Sequence, residues 1–267
     1  MSYFVRTNAF MKTLMPPYLR RPPGLIFYFC ILACAYSCGN NKAQRIVDNG
    51  IAAHGGSAYE SFYLEFDFRN RHYTAARKKG LFTYTREFTD TTGRIKDVLN
   101  NDGLIRYRDG SILDITDERK RAFTSSVNSV IYFALLPYGL NDEAVNKEWI
   151  KETTIKGQPY EVVRVTFDKT AGSDHQDVFL YWFHKEQNTM DFFAYSYQSD
   201  GGGIRFREAI NPRNIGEILW QDYVNYKPKD ETVSLDTLQS MFVSGTLEKL
   251  SEITMENTVV TEYKNND

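Results

Sequence analysis

Val178-Phe179-Leu180-Tyr181-Trp182-Phe183 is the stretch on which the fold of this chain turns. Its length suits a strand. An open antiparallel sheet normally turns one polar face to water, and this run has none to turn. Its neighbour Met190–Tyr197 carries Phe192, Phe193, Tyr195 and Tyr197. Both faces of these central strands must therefore be covered, one by helices and the other by more sheet or by a cavity. A long series of strands with few helices curls into a barrel or half-barrel.

Upstream, the pattern supports this reading. Ile46, Val47, Gly50, Ile51 and His54 recur at helical spacing over 43–54, and Gly55-Gly56 ends the run. The period then changes: Phe62, Leu64, Phe66 and Phe68 alternate with Tyr63, Glu65, Asp67 and Arg69, as in a half-buried strand. Leu81–Phe88, Arg94–Leu99, Leu104–Tyr107 and Ser111–Ile115 read as a meander, with Thr92-Gly93, Asn101-Asp102-Gly103 and Asp109-Gly110 at its turns. A helix capped by Ser125 or Ser126 runs through Val127–Leu136 to Pro137 and is apolar around most of its girth, so it is expected to plug the curl. A second short helix is expected over Glu143–Trp149. Downstream of the central strands, Ile204–Ala209 and Ile215–Tyr226 read as strands, Leu235–Val243 as a helix and Leu250–Val260 as a strand-like tail. The expected class is mainly β with a few helices (α+β): a single curved antiparallel sheet forming a half-barrel closed by helices, in one domain over 44–267.

The leader is different. Residues 1–37 carry four basic residues (Arg6, Lys12, Arg20, Arg21) and no acid. The apolar run Leu25–Tyr36 is too short to cross a bilayer, which needs ~20 residues. A basic start, a short apolar centre and a small residue at its end mark a secretory signal. All three cysteines (Cys30, Cys34, Cys38) fall here, which leaves the rest of the chain without a disulfide framework or a thiol nucleophile. An apolar run ending in a small residue and then Cys resembles the lipobox of bacterial lipoproteins. Ala35-Tyr36-Ser37 before Cys38 and Ile31-Leu32-Ala33 before Cys34 are both candidates. Cys38 is preferred, because polar sequence begins directly after it. The resemblance implies lipid attachment at Cys38, a short tether over 38–43, and an outer-membrane anchor facing the periplasm.

The helix ending in Ala52-Ala53-His54-Gly55-Gly56, followed by an aromatic alternating strand, resembles the start of the LolA/LolB-like superfamily. So does the hairpin Tyr181–Thr189. More closely, Asn128-Ser129-Val130-Ile131-Tyr132-Phe133 and Leu136-Pro137-Tyr138-Gly139-Leu140-Asn141-Asp142 resemble a family of uncharacterised Bacteroidota lipoproteins, DUF6503. The superfamily resemblance implies a curved sheet around an apolar cavity that holds acyl chains.

Catalytic signals are weak. No H-E-x-x-H or G-x-S-x-G occurs, and Gly201-Gly202-Gly203 precedes a strand rather than a helix. His175 with Asp174 and Asp177 reads as a polar hairpin loop. His54, on an apolar helix face, reads as a hydrogen-bonded core residue. Glu65 and Asp67 share a strand face, and Arg69–Lys79 reads as a solvated basic edge. The formal net charge of −2 argues against nucleic acid as a partner, and no cofactor or metal is expected. Phe66, Phe68, Ile131, Leu135, Trp182, Tyr195, Tyr197 and Trp220 are the candidates for lining a pocket. The expected function is a membrane-anchored, non-enzymatic protein that binds a lipid or other hydrophobic molecule. The alternative is a hydrolase-like envelope enzyme using polar residues of the same concavity.

Overall fold

A computed structural model of the chain describes residues 42–168, 176–198 and 201–262. Helix α1 (42–54) buries Ala43, Val47 and Ile51, the face that the four-residue spacing dictates. A side chain at Gly50 would collide with the Phe183 ring, so glycine lets this helix sit close against the strand below it.

Then follow β1 (Ser61–Phe68), β2 (Arg71–Lys78), β3 (Leu81–Asp90), β4 (Gly93–Asn100), β5 (Gly103–Arg108) and the short β6 (Ser111–Ile112). Asp109 and Gly110, both at positive φ, form the tight turn between the last two. Helix α2 (Asp117–Ala134) is capped by Thr116, whose side chain accepts from the Arg119 N–H. The chain continues through β7 (Val145–Ile155), β8 (Gln158–Phe167), β9 (Val178–His184), β10 (Met190–Tyr197), β11 (Gly203–Ile215) and β12 (Ile218–Lys227). Helix α3 (Leu238–Val243), β13 (Glu248–Ile253) and β14 (Glu256–Glu262) close the described part.

The class is mainly β with three helices among the described residues, and every pairing is antiparallel. Instead of one continuous curved sheet, the strands form two seven-stranded ladders that do not close into a barrel. The first sheet runs β14-β1-β2-β3-β4-β5-β6 and the second β13-β12-β11-β10-β9-β8-β7. The ladder breaks where β6 stops after two residues and the chain leaves it to build α2.

Four local expectations are corrected. Glu143–Trp149 is not a helix: Val145–Ile155 is a strand, whose largely exposed side chains hide its alternation. The basic stretch is itself a strand, β2, with Tyr73 and Ala75 pointing into the core. Helix α2 begins at Asp117, because its first two turns are polar and carry no apolar period. The tail is two strands, one in each sheet.

The main core lies between the sheets. Phe62, Leu64, Phe66, Tyr73 and Tyr84 of the first sheet meet Val163, Phe179, Tyr181, Phe193 and Trp220 of the second, with Val127 and Ile131 of α2 among them. Each such side chain contributes about 1.5–3 kcal/mol by leaving water. The other face of the second sheet buries Leu180, Trp182, Phe192 and Phe206 under Leu238, with Met241 and Phe242 of α3 packed against them. The run Val178–Phe183 is thus covered on both sides, as its composition demands.

Candidate functional site

The rings between the sheets fill most of the interior. Phe133 stacks on Phe193 at 5.8 Å between centroids, Phe193 on Tyr181 at 5.8 Å, and Phe179 on Tyr195 at 5.2 Å. Beside this stack a cavity of about 210 Å³ remains, partly open to solvent. It exceeds the ~150 Å³ apolar cavity that can hold a benzene-sized guest.

Its wall comes from four places. Phe66, Phe68 and the turn residue Arg69 close it on the side of β1, and Ser129, Val130, Phe133 and Ala134 on the side of α2. Arg207 of β11 with Tyr223 and Asn225 of β12 form the sheet side. Ile253 and Met255 stand where the chain leaves β13 for β14. Met255 is fixed there: its N–H donates to Asp222 Oδ1 at 3.2 Å, and its carbonyl accepts from Arg213 at 3.0 Å.

Strand register places the polar groups. Phe193, Arg207 and Asn225 stand opposite one another on β10, β11 and β12. Arg207 is 8% exposed. Its NH2 donates to the Tyr195 hydroxyl at 2.8 Å, and its guanidinium lies 4.4 Å from the centre of the Phe133 ring. Its Nε and the Asn225 Oδ1 are buried without a hydrogen-bond partner. Leaving such a group unpaired costs ~1–3 kcal/mol each. Among the described residues neither a carboxylate nor an imidazole lines the cavity.

Of the pocket residues expected from sequence, Phe66 and Phe68 are on the wall. Tyr195 sits behind Arg207 as its hydrogen-bond partner. Ile131, Leu135 and Trp220 are buried in the main core away from the cavity. Tyr197 accepts from Arg205 at 3.0 Å. Trp182 points to the other face of the second sheet, since Tyr181 and Phe183 on either side of it point inward, and its Nε1 donates to Gln239 at 3.0 Å. Cys38 lies outside the described residues. Arg207, Asn225, Val130, Phe133 and Met255 were not singled out from sequence. The only signal for Arg207 was its place in a strand beside one that must be covered on both faces; Arg205 and Arg213 of the same strand are not fully buried.

The other candidates are engaged elsewhere. Asp67 accepts from His72 at 2.8 Å and from Asn257 at 2.8 Å, and these two hydrogen bonds hold its carboxyl below the usual range. Glu65 accepts from Tyr63 at 3.1 Å. Neither lines the cavity, because Phe66 and Phe68 of the same strand do. His54 is 1% exposed and its Nε2 accepts from the Met190 N–H at 3.0 Å, while burial lowers its pKa to about 4. Of the basic stretch, Arg77 donates to Tyr84 at 2.7 Å and Arg71 lies over Phe88. His175 and Asp174 lie outside the described residues, among which no group of His, Cys, Asp and Glu could hold a metal ion. No helix among the described residues is long and apolar enough to cross a membrane.

Three solved structures are similar to this chain in outline. One is a LolA superfamily protein from Nitrosomonas europaea, at 9% identity and TM-score 0.46, covering 84% of this chain and 94% of the other. A second is a putative outer membrane lipoprotein-sorting protein domain from Vibrio parahaemolyticus, at 10% identity and TM-score 0.47, covering 85% and 96%. The third is a DUF1329 family protein from Desulfovibrio piger, at 11% identity and TM-score 0.40, covering 84% and 94%. No curated protein matches the chain. The model of a family of unknown function, DUF6503, matches residues 24–255, and the chain belongs to that family.

Proposed function

We propose that this chain is an envelope lipoprotein that takes up a small hydrophobic guest in the cavity between α2 and the second sheet, without catalysing a reaction. The observation that carries the reading is the cavity wall: seven of its described side chains are apolar, among them Phe66, Phe68, Val130, Phe133 and Ile253, and the polar ones are Arg69, Ser129, Arg207, Tyr223 and Asn225. That is the usual make-up of a small-molecule site. Burial of apolar guest surface supplies about 25 cal/mol per Å². A guest of this size is a short alkyl chain or the end of a longer one, rather than a whole phospholipid.

Among the described residues the wall holds no carboxylate or imidazole, which favours binding over hydrolysis, because two arginines, one amide and two hydroxyls with no base beside them supply neither a general base nor an activated nucleophile. The reading of the leader completes the proposal: residues 1–37 are removed as a signal, Cys38 receives the lipid, residues 38–43 tether the domain of 44–267, and the protein faces the periplasm from the outer membrane.

Native mass spectrometry of the gently purified chain tests the cavity. A guest mass in the wild type that is lost in Val130→Trp, which fills the space, is the expected result. An empty wild type that also takes up no medium-chain alcohol or acid would overturn the proposal.

A further inference from the structure

The cavity contains one feature that an apolar guest alone leaves unexplained. Arg207 carries a full positive charge in a place that is nine-tenths buried. Among the described residues its partners are the Tyr195 hydroxyl, the rings of Phe133, Phe193 and Tyr195, and the nearby Tyr181 and Tyr223, and none is a carboxylate. Buried charges are ordinarily paired, because desolvation of an ion costs several kcal/mol that rings offset only in part. The guanidinium nevertheless lines the cavity, with its Nε unpartnered. The other buried arginines differ in having a carboxylate beside them, although the Arg106 Nε also lacks a hydrogen-bond partner. Arg86 and Arg106 both meet the carboxylate of Asp97, at 2.6 Å and 3.1 Å.

We propose that Arg207 is the head-group anchor of the cavity and that its ligand is an alkyl chain ending in an oxyanion, a carboxylate or a phosphate monoester. The inference rests on the binding reading above and narrows it. The fork of the guanidinium suits two oxygens of one oxyanion. Asn225, directly opposite in register, brings an amide to the same spot. The Tyr195 hydroxyl holds the guanidinium from behind, and Phe133 lies against it. The alkyl part then runs between Phe66, Val130 and Ile253. Exposed Arg69 at the rim adds a second positive charge on the way in.

Equilibrium dialysis of labelled octanol, octanoate and octyl phosphate at pH 7.5 provides the test. The full chain is held in nanodiscs of neutral phosphatidylcholine, and empty discs give the background. The expected result is that at least one of the two anions binds ten times or more tighter than octanol, and whichever anion leads identifies the head group. Arg207→Met should reduce that anion to the level at which the same variant binds octanol. Equal binding of all three probes, or an anion preference that survives in Arg207→Met, would overturn the head-group assignment and leave the cavity reading standing. Binding of none would overturn the cavity reading itself. The ranking in the wild type needs no variant, so the outcome is informative even if Arg207→Met does not fold.

Discussion

The two sheets bury their arginines in opposite ways. In the first, Asp97 is fully buried, Arg86 grips its Oδ2 with two nitrogens at 2.9 and 2.6 Å, and Arg106 lies 3.1 Å from Oδ1. Arg86 also donates to Ser126 of α2 at 2.7 Å, and Arg106 lies 3.6 Å from the centre of the Phe123 ring. One carboxylate there serves two guanidinium groups, and the triad fastens the helix to the sheet. In the second sheet Arg207 has rings and a hydroxyl but, among the described residues, no counter-charge. One site has its counter-ion within the chain, and the other is where we have proposed a guest. A buried ion is thus informative through what surrounds it: a paired one describes the fold, while an unpaired one on a cavity raises the question of a guest.

Four measurements would break or sharpen this contrast. Asp97→Ala strands two buried guanidinium groups and should cost ~3–5 kcal/mol in urea unfolding, whereas a loss below ~1 kcal/mol would make the triad ornamental. Phe193→Ala opens a hole in the ring stack beside Arg207, at a fully buried residue, and should cost about 3–4 kcal/mol; Val130→Ala, on a wall that already borders empty space, should cost under about 1 kcal/mol.

His54 shows a third way of burying a polar group, by remaining neutral. Its folded pKa of about 4 lies below the unfolded value near 6.5, so the unfolded chain takes up the proton first. The stability it contributes is complete above pH 6.5 and is lost as pH falls towards 4. Between pH 7 and 4.5 the loss should be ~2 kcal/mol. His54→Gln should flatten that part of the stability profile. An unchanged slope would show that other groups carry it.

The smallest effect is expected at Arg207. Replacing an unpaired buried cation by Met should leave stability within about 0.5 kcal/mol or raise it. A loss as large as that of Asp97→Ala would mean that Arg207 is a structural strut after all.

The legible parts of the fold were those in which burial writes a period. Phe62–Phe68 alternates because β1 has one wet face, and Val178–Phe183 does not alternate because β9 has none. Elements with little burial left little trace. Strand β7 exposes much of both faces, and Val145, Glu148 and Trp149 happen to fall at helical spacing. Strand β2 buries only Tyr73 and Ala75 between basic residues. Of the site, Phe66 and Phe68 were readable as inward positions of β1. Trp182 was misjudged by size alone, although its parity with Tyr181 and Phe183 assigns it to the far face. The pairing of Arg207 with Phe193 and Asn225 depends on ladder register across three strands, which no single segment encodes.

The passage of the chain through Thr254-Met255, from β13 in one sheet to β14 in the other, has a consequence for how the protein comes into being. Strand β14 covers the outer edge of β1, which was made about two hundred residues earlier. Wherever the chain folds, the first sheet must therefore wait, with one edge bare, until the distant β14 arrives. An edge left bare invites pairing with another molecule. A chain that stopped after Ile253 would keep every residue of the main ring stack and still be prone to stick to its own copies.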